Sequence, residues 1–263
     1  MAANTFVTSL SRGLDALQAF DRGHPEMTLS EVAARIDLNP AAARRSLLTL
    51  EELGYVTRNG RRFLLTPKVL RISQAFLSSI GVHEVVQQYL QEVSDVTGDS
   101  ASLGVLDESE VLYIATVSVK RQFHVAPSTG TRYPAFCSSM GRALLAFASD
   151  EVVSRALDGD PLEKLTGATL TDPDQVRARL AEVRSTGFSI IHEEVAYGVV
   201  SVAVPIFGDD GRAIAAINCS TTPERVDAIS MATRRNVLTR GRSQIQNALK
   251  RHPPLVHAIE GSR

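Results

Sequence analysis

The stretch from Thr28 to Thr66, TLSEVAARIDLNPAAARRSLLTLEELGYVTRNGRRFLLT, constrains this chain more than any other. Its spacing predicts two short helices and then a hairpin. The first helix starts at Thr28 or Ser30 as cap and gathers Leu29, Val32, Ala33 and Ile36 on one face. After a break at Asp37–Asn39 the second starts with Asn39 as N-cap and Pro40 at the first helical position, where a missing N–H does no harm. Ala43, Leu47, Leu50 and Gly54 share one side of it; Ala41, Ala42, Arg45, Thr49 and Glu52 share the other, and Arg44 flanks them. Gly54 supplies the left-handed stop. Asn59-Gly60 between strand-like runs predicts a hairpin turn with positive φ at both central residues.

Two helices, a tight turn and a basic hairpin describe a winged helix-turn-helix. In that arrangement the helix at Pro40 enters the major groove of duplex DNA, with Ala41, Ala42, Arg44, Arg45 and Thr49 on the reading side. One of Arg44 and Arg45 reads a guanine edge and the other clamps phosphate. Arg58, Arg61 and Arg62 lie on the hairpin, against phosphates or the minor groove. A helical hairpin beside a β-hairpin in an ordinary core accounts less well for a cap, a turn, small exposed residues and a basic wing together.

The formal charge of the 263-residue chain is −1, which alone argues against nucleic acid. The average hides an asymmetry: residues 1–80 hold 10 Lys/Arg and 7 Asp/Glu, residues 81–263 hold 18 and 22. A basic surface on a mildly acidic body suits a DNA reader whose larger part does something else. Cys137 and Cys219, with no CxxC spacing, predict reduced buried thiols rather than a metal site or disulfide framework. No run reaches membrane-spanning length and no signal-peptide layout is present, so a cytoplasmic protein without membrane partners is expected.

Along the chain, Ser9–Phe20 reads as an amphipathic helix and Arg22–Glu26 as a loop. Helices are expected at Pro67–Gly81 and Val82–Val96. Strands follow at Ala101–Leu106, Val111–Val119 and Gln122–Ala126, then a loop at Ser128–Arg132 and a helix at Ser139–Ala148, capped by Ser138 or Ser139. Further helices are expected at Asp150–Leu157 and Asp174–Ser185, strands at Phe188–His192, Val199–Phe207 and Ala213–Ser220, and a long closing helix from Pro223 to about Arg251. Helices flanking largely antiparallel strands indicate an α+β domain.

An enzyme is disfavoured: His83, His124 and His192 are scattered, and no GxSxG, HExxH or phosphate-loop pattern occurs. Helix capping explains Ser138 and Ser139 better than nucleophilic catalysis does. Glu193 and Glu194, as strand neighbours, point to opposite faces. A small-molecule sensor fits better. Ser138, Ser139, Met140 and Gly141 at a helix start offer N–H groups to an anion. Ser201, Asn218 and Ser220 put small polar groups among apolar ones, as in a ligand pocket. The alternative reading makes Asn218 and Ser220 satisfied residues on a solvent-facing side. Arg121 and Arg132 flank these segments and would pair bidentately with a carboxylate; Arg142 is a brace for its helix or a third such group. No cofactor or metal is implied.

LSRGLDALQAF at Leu10–Phe20, the Leu29–Val56 stretch, LLTPKVLRIS, PAFCSSMGRALLA at Pro134–Ala146, GFSIIHEEVAYGVVSVAVPIF and AAINCS resemble the IclR family of bacterial transcriptional regulators over nearly the whole chain. The resemblance implies a winged helix-turn-helix domain at 1–66, a linker helix at 67–81 that helps dimerise the readers, and a GAF-like or PAS-like effector and oligomerisation domain at 82–263. Its effector pocket would lie between the sheet and the SSMGR helix. AAARRSLLTLEELGYV, RNGRRFLLTPKVL and GTRYPAFCSSMGRALLA resemble one branch, the regulators of protocatechuate, 4-hydroxybenzoate and β-ketoadipate catabolism. The implied partners are operator DNA, a small carboxylate effector and further copies of the chain, as a homodimer or dimer of dimers. A regulator sensing a different small organic acid is the alternative, and a small-molecule-binding metabolic protein a more distant one.

Overall fold

The structure is a computed structural model and describes residues 5–21, 23–80, 82–119 and 127–260, with the side chains of 77–80 and 82–84 left aside. The chain divides into two units, Met1–Ser79 and Ile80–Arg263.

The first unit follows from its caps. Helix α1 (Thr8–Gln18) precedes a short strand β1 (Glu26–Thr28), then α2 (Leu29–Arg35) and α3 (Pro40–Glu52). The Thr28 hydroxyl accepts the Glu31 N–H and the Glu31 carboxylate accepts the Thr28 N–H, a closed capping box that fixes where α2 begins. Asn39 Oδ1 accepts the Ala42 N–H at 2.9 Å and starts α3 in the same way. Strands β2 (Val56–Asn59) and β3 (Arg62–Leu65) form the wing, and β1 adds to its far side in the order β1-β3-β2. Ala16, Met27, Val32, Leu47, Leu50, Val56 and Phe63 make one core. A 3₁₀ turn at Pro67–Val69 leads into α4 (Leu70–Ile80).

Two expectations change here. The loop expected at Arg22–Glu26 gives up its last residue to β1, where Glu26 lies opposite Leu64. The hairpin turn is centred on Gly60-Arg61 rather than Asn59-Gly60, because Asn59 pairs with Arg62 as the last rung of the ladder. Gly60 at φ +61° is the one residue of this turn with positive φ, as in a type II′ turn with glycine at its first central position.

The second unit is a six-stranded antiparallel sheet between two layers of helices. Helix α5 (Val82–Thr97) precedes β4 (Ser100–Asp107), β5 (Glu110–Val117) and β6 (Arg132–Pro134). Helices α6 (Ser139–Leu145), α7 (Asp150–Leu157) and α8 (Pro173–Thr186) come next. Strands β7 (Ser189–His192), β8 (Val200–Phe207) and β9 (Ala213–Thr221) then complete a sheet ordered β6-β5-β4-β9-β8-β7. Helices α9 (Ala228–Leu249) and α10 (Pro253–Glu260) close the chain.

Strand alternation sorts the sheet residues between the two layers. Leu103, Val105, Val202, Val204, Ile217 and Cys219 face α5 and α9. Tyr113, Ala203 and Ala216 face α6 and α8. The strand expected at Gln122–Ala126 lies outside the described residues. Arg132–Pro134, read as the end of a loop, pairs as β6 with β5. The single closing helix expected from Pro223 is a 3₁₀ turn at Pro223–Arg225 and then α9, capped by Asp227. The prolines that end it also begin α10, proline being well tolerated in a first helical turn.

Candidate functional site

On the reader domain, Arg44 and Arg45 stand exposed on α3 and have no acidic partner among the described residues. Ala41 and Thr49 are exposed as well. Ala42 is not: at 3% exposure it belongs to the core side, correcting its placement on the reading face. Ala42 sits one step, about 100° of helix, from Ala43, and α1 packs across that flank, so the buried arc is wider than a single row. Ala42, Arg45 and Thr49 also line a groove of about 680 Å³ with Leu10, Leu14, Leu17, Leu53 and Ile72.

The wing arginines differ. Arg58 donates to Glu51 at 2.5 Å and its guanidinium stacks 5.2 Å from the Phe63 ring centroid. Arg62 is held by Glu26 and Glu31 and donates to the Glu26 carbonyl. Both brace the wing against the helices. Arg61, at the turn, has no acidic partner among the described residues. Among the described residues of α3 and the wing, the arginines without an acidic partner are therefore Arg44, Arg45 and Arg61.

In the second unit, Ser139, Ser201, Asn218 and Ser220 come together beneath α6. Ser139 and Ser201 hydroxyls lie 2.8 Å apart; Asn218 Nδ2 donates to Ser201 Oγ at 3.0 Å and to Ser220 Oγ at 3.3 Å. Ser220 donates to Ser201, and Ser201 donates to the Cys219 carbonyl. Asn218 is 2% exposed, so the solvent-facing reading of this strand side is wrong.

Other expected contacts serve the framework. Ser138 is the cap of α6, its hydroxyl accepting the Gly141 N–H at 3.1 Å. Met140 packs on Gly104. Gly141 lets α6 press against the chain at Ala135, where a Cβ would fall 2.1 Å from the carbonyl oxygen. Arg132 is committed to Asp107 and Glu110 at the surface of β6. Arg121 lies outside the described residues.

Arg142 is the brace. Only 2% exposed, it donates two parallel hydrogen bonds to Glu194, at 2.6 and 2.5 Å, and a third from Nε to the Phe136 carbonyl. Glu194 is not a strand neighbour of Glu193 in the expected sense. Glu193 adopts φ +56° in the turn after β7 and accepts the Gly198 N–H, and this turn delivers Glu194 to Arg142. Thr166 and Thr169 bind the carbonyls of the same turn.

Sequence reasoning missed two residues of this face. In register, Thr116 on β5 lies opposite Ser102 on β4, and Ser102 lies opposite Asn218 on β9, so the three form one row beside the serine cluster. The signal was present: Ser100, Ser102 and Gly104 alternate with Ala101, Leu103 and Val105, small or polar against apolar with period two. Tyr113 borders the row, and burial, with Tyr133 beside it, pushes its phenol well up, so it stays neutral. Thr116 Oγ1 is buried and has no hydrogen-bond partner among the described residues, whereas the Asn218 side chain is hydrogen-bonded to the Tyr113 phenol. No cluster of His, Cys, Asp and Glu among the described residues could hold a metal, and no described helix is long and apolar enough to cross a membrane.

Comparison with known proteins interprets both surfaces. Residues 9–60 match the IclR helix-turn-helix domain, and residues 74–246 match the bacterial transcriptional regulator IclR C-terminal domain. The chain belongs to the IclR family of bacterial transcriptional regulators. Its relatives include the Pca regulon regulatory protein of Pseudomonas putida, 40% identical over 84% of this chain and 76% of the relative. The p-hydroxybenzoate hydroxylase transcriptional activator of Acinetobacter baylyi is 34% identical over 84% of this chain and 83% of its own. A transcriptional regulator from Rhodococcus sp. RHA1 has the same fold, with 37% identity and a TM-score of 0.76 over 93% of this chain and 99% of that one. An IclR homolog complexed with 4-hydroxybenzoate, from Microbacterium hydrocarbonoxydans, shares the fold with a TM-score of 0.75 at 23% identity, over 92% and 99% of the two chains. As an IclR protein the chain is a non-enzymatic transcription factor that binds operator DNA through its helix-turn-helix domain and a small effector through its C-terminal domain, and it works in the bacterial cytoplasm.

Proposed function

We propose that this IclR regulator controls genes of aromatic-acid catabolism and senses a small carboxylate of that chemistry: protocatechuate, 4-hydroxybenzoate or β-ketoadipate. The observation that carries the reading is the buried neutral polar cluster of Ser139, Ser201, Asn218 and Ser220 between α6 and the sheet, in a chain whose curated relatives regulate the Pca regulon and p-hydroxybenzoate hydroxylase. Arg132 and Arg142 already hold carboxylates of the protein itself. Arg121, two residues beyond Val119 in the sequence, is the guanidinium we assign to the effector acid. On DNA, Arg44 and Arg45 read or clamp the major groove and Arg61 contacts phosphate.

The working species is a homodimer or a pair of dimers, since one winged module covers only a short half-site. Exposed Leu10, Leu14, Leu53 and Ile72 around the α1–α3 groove support a second copy as its cover. The effector acts by binding the DNA-competent and other arrangements with different affinity. The test is fluorescence anisotropy on the DNA upstream of its own gene, titrated across salt with and without each acid. Tight, salt-sensitive binding shifted by one of them supports the reading. Binding indifferent to all three discards the aromatic-acid assignment and keeps the regulator.

A further inference from the structure

The hairpin that reads as a basic wing in the sequence is electrically balanced in the structure. Arg58 donates to Glu51, and its guanidinium sits over the Phe63 ring. Arg62 has three oxygens around it: the Glu26 carboxylate, the Glu31 carboxylate at 3.4 Å and the Glu26 carbonyl at 3.2 Å. These carboxylates come from three elements, β1, α2 and α3, and Glu31 is itself fixed by the capping box with Thr28. Three arginines and three glutamates thus share the wing and its roots, and only Arg61, at the turn, has no acidic partner among the described residues. A DNA phosphate gains from a guanidinium only what it adds over the acceptor already held. A lone exposed ion pair holds weakly, but each guanidinium here has a second restraint, the ring for Arg58 and the carbonyl for Arg62. Moving either onto a phosphate would also leave its carboxylate unpaired beside the DNA, where like charges repel.

We propose that Glu26, Glu31 and Glu51 hold Arg58 and Arg62 off the phosphates, so that the wing makes its phosphate contact through Arg61 alone and the sequence-independent affinity for duplex DNA is kept low. This deepens, and rests on, the reading of the wing as a DNA contact. Sequence-independent affinity grows with the number of phosphates neutralised, and so does its dependence on salt. In a genome the competing sites vastly outnumber the operators, so a wing that gripped every duplex would spread the regulator over them. The three glutamates act as a brake on that term without touching a base.

The experiment is fluorescence anisotropy of the full-length protein on a short random-sequence duplex, titrated across salt, with a thermal melt of each variant. Glu51→Gln raises affinity several-fold and steepens the salt slope by about 1, as one arginine reaches a phosphate. Glu26→Gln combined with Glu31→Gln does the same through Arg62, and the α2 cap survives because glutamine also serves in a capping box. Glu52→Gln, an exposed carboxylate of α3 with no arginine partner among the described residues, gives the smaller effect of charge alone. Glu51→Gln combined with Arg58→Gln removes a cation and an anion together and returns affinity and slope to wild-type values. Glutamate variants that gain no more than Glu52→Gln overturn the proposal. So does a Glu51–Arg58 double variant that loses as much as Arg61→Ala, since Arg58 would then already hold a phosphate in the wild type. Either result leaves the wing on the DNA provided Arg61→Ala weakens binding; an Arg61→Ala variant equal to wild type overturns the wing reading as well. Should the Glu51–Arg58 double variant fail to fold, the glutamate variants decide by their gain over Glu52→Gln.

Discussion

Replacing Arg142 by Met tests how the second unit is held together. The side chains of Arg142 and Glu194 are 2% and 9% exposed, so the substitution leaves a carboxylate buried with no cation and the Phe136 carbonyl without its donor. Removing one member of a buried pair costs about 3–5 kcal/mol. For a unit of this size each kcal/mol moves the midpoint by about 2–4 °C, so a fall of about 6–20 °C is expected. Calorimetry on the full-length protein is the assay, because it separates the transition of this unit from that of the reader domain. The control is Arg142→Met with Glu194→Leu, in which neither charge remains; well-packed apolar replacement of an ion pair is often neutral or stabilising, so the double variant should recover most of the loss. A single variant less than about 1 kcal/mol below wild type, or a double variant no better than the single, would refute the argument that the pair is buried and mutually dependent.

Gly141→Ala should destabilise the unit by about 1–3 kcal/mol or more despite alanine's higher helix propensity, because its Cβ would overlap the Ala135 carbonyl; a stabilised variant in thermal melts would contradict this. Arg45→Ala should weaken operator binding by about 1–3 kcal/mol if it reads a base, and equal losses on operator and random DNA in anisotropy titrations would make it a phosphate clamp. Arg61→Ala should lower affinity on all sequences and reduce the salt slope by about 1, which a slope unchanged from wild type would exclude. Burial pushes both thiols, Cys137 and Cys219, up to about 12 from an ordinary value near 9. Because the folded values are raised, their contribution to stability is intact below about pH 9 and is lost as pH rises toward 12; native protein should resist thiol reagents at pH 8, and rapid labelling of either cysteine would show the burial to be wrong.

Local chemistry carried much of this fold in the sequence. Thr28 with Glu31 and Asn39 with Pro40 set the helix starts because caps act within a turn of backbone, and the Pro40 helix and wing are legible for that reason. The alternation on β8 and β9 likewise placed Ser201, Asn218 and Ser220 on one face. Tertiary structure decided what no local pattern holds. Ala42 is buried because α1 crosses its flank, and Arg58, Arg62 and Arg132 are bound by carboxylates 7 to 36 positions away in the chain. The Arg142–Glu194 pair joins groups 52 residues apart. Thr116 shares a row with Asn218 only through the register of three strands, set by sheet pairing across a long chain separation. Caps and periodicity are written in neighbouring residues; which charge is already answered, and which buried oxygen is left without a partner, depends on contacts that form only when distant segments pack.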